Sequence, residues 1–175
     1  MELFTILLEV LKAVSISLGV GASTVVIALY LGALKNDGKI DKSEGRMLGI
    51  NYIVLRVAMV LIFLSHLLLN IPLYIDGGIA ALMSSLNYAQ WMLLAILYVN
   101  AILMTMHIMP DTYGPGIQVA TWFSFGIVTT LGGLVALEMP LVVGTYIMFT
   151  IFTIWLLDIF KRDLKVIQKR KTLLR

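Results

Sequence analysis

Twenty-two consecutive residues, Ala13 through Leu34, carry no charged side chain. A helix of that length rises about 33 Å at 1.5 Å per residue, close to the hydrocarbon thickness of a bilayer. The feature recurs four times. Met47–Asn70 is interrupted only by Arg56 and His66, and Tyr88–Met109 only by His107. Gly116–Leu137 is again uncharged, and Pro140–Phe160 carries only Asp158, near its end. Soluble domains are roughly 45–50% apolar and about 25% charged. This chain of 175 residues is 60% hydrophobic and 13% charged, more apolar than a single water-facing core can use. Backbone polar groups in lipid must be satisfied within the protein, and the alternation of a barrel strand is absent, so the runs read as helices. The expected fold is an all-α integral membrane protein of the cell membrane. It has one domain, 1–175, with spans over 13–34, 47–70, 88–109, 116–137 and 140–160 and a basic tail over 161–175.

Two segments fall outside this scheme. Residues 71–87 contain Pro72 and the Gly77–Gly78 pair, which should break the second helix, leaving an interfacial or re-entrant piece, the interfacial form being favoured. Residues 1–12 lack a basic leader region and are read as retained. There Glu9 and Lys12 stand one turn apart and could pair on an extension of the first helix outside the membrane.

Lys and Arg set the orientation. Seven lie after the last span: Lys161, Arg162, Lys165, Lys169, Arg170, Lys171 and Arg175. Four more flank the first loop: Lys35, Lys39, Lys42 and Arg46. Five crossings put both groups on one side, predicting an external N-terminus and a cytosolic C-terminus. The basic tail has anionic lipid headgroups as expected partners, although anchoring of the topology alone accounts for it.

The first loop, Lys35–Glu44, reads KNDGKIDKSE and resembles half of a calcium-binding loop. With Gly38 at the centre of that pattern, Ala33 and Lys35 occupy two positions that need oxygen ligands. A turn accounts for every residue instead: Gly38 ends one helix, Asp41 caps the next, and Glu44 completes a capping box.

Arg56 lies nine residues past Met47, about 13 Å into the bilayer. An intramembrane charge is costly and turns toward protein or a water-filled cavity. Its expected companions near the span midpoints are Ser23, Thr24, Asn100, Thr129, Thr130 and Thr150, all neutral. Arg56 either braces the bundle through carbonyls and amides or attracts an anion or water into a polar midplane site.

The two histidines suggest a haem b held from both faces, but the threading places His66 near the outer end of its helix and His107 near the inner end of its own, on the order of 25 Å apart. Met104 and His107, three residues apart, would share a helix face and could suit Cu(I). Asp111 follows His107 by four residues, giving a weak His–Asp pair. Ser15, Gly19 and Ser23 form a small-residue stripe for a close neighbour, as do Gly126, Thr130 and Gly132–Gly133, whether within the chain or in a homo-oligomer. Trp91, Trp122 and Trp155 fall where an aromatic belt would.

With no cysteine, no paired carboxylates at one depth and no phosphate-cradling loop, nothing points to an enzyme or to nucleic acid. The leading expectation is a channel or transporter component for a small anion or solute. The alternatives are a haem- or copper-handling electron-transfer subunit and a structural accessory subunit.

Overall fold

The computed structural model describes residues 2–36, 41–110, 113–132, 134 and 138–173, the side chains of 33–36 and 163–173 excepted. Five helices follow one another: α1 (Glu2–Asn36), α2 (Lys42–Leu82), α3 (Ser85–Thr105), α4 (Tyr113–Gly132) and α5 (Met139–Leu173). No strand occurs among the described residues.

Four of the five, α1, α2, α3 and α5, are long and apolar enough to cross a membrane. The exception is α4, and its place explains its composition. It packs against α1, α3 and α5 and buries Gly114, Gly116, Gln118, Ala120, Thr121, Trp122, Ser124, Phe125 and Val128. A helix wrapped by its neighbours can carry polar groups that a lipid-facing helix cannot, because protein partners satisfy them. Thr121 illustrates this: its Oγ1 donates to the Ile117 carbonyl at 2.7 Å and lies 3.1 Å from the Tyr146 hydroxyl.

Close approach in the bundle is set by glycine. Gly19 faces the ring of Trp122, and a Cβ there would overlap three ring atoms. Ser15, Gly19 and Ser23 are all buried, so the small-residue stripe of α1 serves α4 of the same chain. Trp122 is consequently not part of an interfacial belt: it is fully buried at 0% exposure. Trp91 is half-buried against Phe63, and only Trp155 is exposed. Of the second proposed stripe, Gly126 and Gly132 meet Ile16 and Leu86, Thr130 is exposed, and Gly133 lies outside the described residues.

The ends of the helices differ from the sequence expectation in three places. Pro72 does not break α2. It is buried within the helix, which changes direction only at Gly78, with φ 62° and ψ −155°, a conformation open to glycine and costly to other residues. The Gly77–Gly78 pair thus interrupts the helix as expected, and a short helical piece over 79–82 follows the kink. Residues 71–77 prolong α2, Met83 caps it, and Ser84 caps α3, its Oγ accepting from Asn87 N at 3.4 Å. Asn87 Nδ2 ties the corner by donating to the Leu82 carbonyl at 2.8 Å and to Asn70 Oδ1 at 3.0 Å. At its other end α3 stops at Thr105, and His107 has a left-handed φ of 57°. Met104 and His107 therefore do not share a helix face.

Asp41 caps α2 as expected. Its Oδ1 accepts from the backbone N–H of Ser43 and of Glu44, each at 2.7 Å, and its own N–H donates to Glu44 Oε2 at 3.1 Å. Asp37 and Gly38 lie outside the described residues. α5 runs on into the tail as far as Leu173.

Candidate functional site

The helix register sorts the polar residues into two layers. Contacts between α2 and α3 include Met59–Tyr98, Phe63–Tyr98, Phe63–Trp91, His66–Trp91 and Asn70–Asn87. Antiparallel interpolation sets Arg56 level with about residue 101 of α3, whose midpoint is residue 95. Arg56 thus stands roughly 9 Å from the middle of α3 at 1.5 Å per residue, one turn inside its end. It does not share a level with Thr129, which meets Gln90 of α3, or with the adjoining Thr130.

The layer near Arg56 is at the basic end, where α1 and α3 stop, α2 and α4 begin and α5 leaves for the tail. Asn100 is its centre. Its Nδ2 donates to the Gly114 carbonyl at 3.0 Å, to Gln118 Oε1 at 3.0 Å and to Met104 Sδ at 3.6 Å. Its Oδ1 is buried with no hydrogen-bond partner among the described residues. Gln118 is buried, and Gly114 lets α4 press against Met104.

Beside this layer lies a cavity of about 560 Å³, within the range of ligand sites. Arg56, Lys161, His107, Tyr30, Tyr52, Thr105 and Gln118 supply its polar groups, and none of the twenty described residues that line it is acidic. Arg56 is exposed and makes no ion pair or hydrogen bond among the described residues. The Lys161 ammonium lies 6.0 Å from the centroid of the Tyr30 ring.

The second layer, toward the opposite end, holds a residue that sequence reasoning placed elsewhere. Lys12, expected outside the membrane, is buried at 5% exposure. Its Nζ donates to Gln90 Oε1 at 3.1 Å, and Gln90 Nε2 donates to Thr129 Oγ1 at 3.2 Å. Glu9 points outward. His66 is buried beside this layer, its ring 4.8 Å from that of Trp91 and 6.4 Å from that of Phe125. Neither of its nitrogens has a hydrogen-bond partner among the described residues. A signal for Lys12 was present: it precedes Ser15 by three residues and so extends the buried stripe of α1 by one turn.

The remaining predicted residues divide. Ser23 is buried, donates to the Val20 carbonyl at 3.0 Å, and borders the basic-end layer with Tyr52, Met104 and Gln118. Thr24 and Thr130 are exposed and bonded to carbonyls of their own helices, Val20 at 2.8 Å and Gly126 at 2.9 Å, and belong to neither layer. Thr150, on α5, has a buried hydroxyl without a partner among the described residues. His66 and His107 sit at opposite ends, His107 with Met104 on the cavity wall. Asp111 lies outside the described residues, and no three His, Asp or Glu side chains converge among those described.

Between the layers the core is closed. Ile62, Leu93, Leu97 and Phe125 are at most 1% exposed, and Trp122 is fully covered. The cavity therefore gathers two cationic side chains at the basic end, and packed side chains among the described residues separate it from the Lys12 layer. Compared with protein-family models, curated proteins and solved structures, the chain matches none.

Proposed function

We propose that this chain crosses the cell membrane five times, with an external N-terminus and a cytosolic C-terminus, and acts without catalysis by taking up an anionic ligand at the basic end of the bundle, as a channel or transporter component. The observation that carries this reading is the cavity around Arg56, in which a cation has no counter-charge and meets no carboxylate among the described residues. A guanidinium so placed draws an anion, since the alternative is an unpaired charge near hydrocarbon. The length of α4, 20 residues, matches a bilayer at about 30 Å, and its shielded position accounts for its weaker apolarity. The closed core between the layers favours uptake from one side over a continuously open pore.

Anions titrated against the protein in an uncharged detergent, with thermal unfolding as the readout, test the binding. The panel spans inorganic phosphate, glycerol 3-phosphate and phosphatidylglycerol. At least one should raise the unfolding temperature of the wild type and leave Arg56→Gln unmoved. No Arg56-dependent response to any of them would end the proposal. Single cysteines placed at Glu2 and Arg175 in this cysteine-free chain should label from opposite faces of sealed vesicles.

A further inference from the structure

The geometry points to an anionic phospholipid as the ligand of the Arg56 cavity, entering sideways between α2 and α3 from the leaflet at the basic end; this rests on the anion-binding reading above. Three observations converge on an amphiphile rather than a hydrated ion.

The first is the wall. Ten of the twenty lining residues are aliphatic or methionine, among them Val26, Leu55, Met59 and Leu157. A small hydrated anion would lose solvation against such a surface and gain nothing from it. An acyl chain with a charged headgroup matches both the apolar wall and the cations.

The second is the opening. The α2–α3 seam is held by Asn70–Asn87, His66–Trp91, Phe63–Trp91 and Tyr98 on the Met59 carbonyl. All lie from Met59 toward the far end. On the basic side of Met59 the cavity takes up the space between Leu48–Arg56 of α2 and Ala101–Thr105 of α3. Arg56, Tyr52 and Thr105 on its rim are exposed, facing what would be lipid.

The third is depth. Arg56 stands about 9 Å from the level of the α3 midpoint, so its long side chain reaches the headgroup region without leaving the cavity. Lys161 and Tyr30 lie nearer the end of the bundle. A lipid with its phosphate at Arg56 would therefore extend its polar head toward Lys161. Arginine pairs with phosphate through two parallel N–H donors, a geometry lysine lacks.

Native mass spectrometry of the full chain tests this, using phosphatidylglycerol and phosphatidylcholine with identical acyl chains, and glycerol 3-phosphate as a water-soluble competitor. Phosphatidylglycerol should bind about tenfold more tightly, because phosphatidylcholine offers the same phosphate but brings a quaternary ammonium into a cavity already lined by Arg56 and Lys161, and about 1.4 kcal/mol of like-charge repulsion is tenfold in affinity. Arg56→Gln should abolish the preference. So should Ala101→Trp, which fills the opening and leaves every cation in place. Arg162→Gln, whose partner Asp158 lies at 2.6 Å outside the cavity, should retain it, which separates the cavity from general attraction to the basic tail. Equal binding of the two lipids, or a preference that survives both cavity variants, overturns the lipid assignment. Arg56-dependent binding of glycerol 3-phosphate without any of phosphatidylglycerol also overturns it, while sparing the anion-binding reading. Loss of all Arg56-dependent binding removes both.

Discussion

Replacing Gly19 by alanine tests the seam between α1 and α4. The added methyl would meet Cδ2, Cε3 and Cε2 of Trp122, well inside the 3.0 Å that real Cβ atoms essentially never breach. The indole cannot retreat, being 0% exposed, so α1 must move or Trp122 must leave its rotamer. Overpacking of this kind costs about 1–3 kcal/mol. Against it stands the loss of a glycine from a helix interior, which favours alanine by about 0.5–1 kcal/mol. The net expectation is destabilisation within about 0–2.5 kcal/mol. Trp122→Leu by itself should cost more, about 3 kcal/mol, by opening a gap in the core. In that background the alanine methyl has somewhere to go, so Gly19→Ala becomes neutral or stabilising. The double-mutant cycle should then show about 2 kcal/mol of coupling, within the range for residues in contact. Unfolding in a mild detergent, followed by helical circular dichroism, measures all four corners. If Gly19→Ala changes stability by the same amount with and without Trp122, the two helices do not interlock as described.

Two further outcomes are expected. Lys12→Met combined with Gln90→Leu should be neutral or stabilise the protein by up to about 4 kcal/mol, because removing a buried charge together with its polar partner in favour of well-packed apolar groups recovers the desolvation cost of the charge. Unfolding of the double variant checks this, and a loss of more than about 2 kcal/mol would show the ammonium to be better satisfied than its single bond to Gln90 implies. The backbone N–H groups of Glu44 and Ser43 hold the Asp41 carboxyl below the usual carboxylate range. A depressed value means the cap is complete above the ordinary pKa, about 3.9, and is lost as the pH falls through the lower one. The protection factors of the Ser43 and Glu44 amides, in which the intrinsic slowing of exchange in acid is divided out, should therefore fall as the pH drops, and Asp41→Asn, which keeps a capping oxygen, should remove that dependence.

The five helices and the Asp41 cap were legible because each is written locally, in runs of apolar residues and in a three-residue spacing. The stripe of Ser15, Gly19 and Ser23 was legible for the same reason, although its partner was not. What could not be read was register. The depth of a residue in its own run says little about its level in the bundle, because α2 extends well beyond α3 at the far end and α1 begins eleven residues before Ala13. Lys12 therefore moved inward, Arg56 moved toward an end, and Thr129 separated from Asn100. Pro72 misled for a related reason: a proline costs one hydrogen bond and a local clash, and packing of a long helix can outweigh that cost. Trp122 was placed by its ring type, whereas its position was decided by a glycine a hundred residues away.

The polar character of α4 bears on how the protein is made. A segment carrying Gln118, Thr121, Ser124 and several glycines gains little from hydrocarbon alone. In the five-span reading it would stall at the translocation machinery until companions arrive. α1 and α3, already synthesised, offer one side of its berth, and α5 closes the other. Its retention in the membrane should thus depend on the segments emerging before and after it, so that truncation ahead of Met139 would leave a nascent chain whose fourth segment slips back to water.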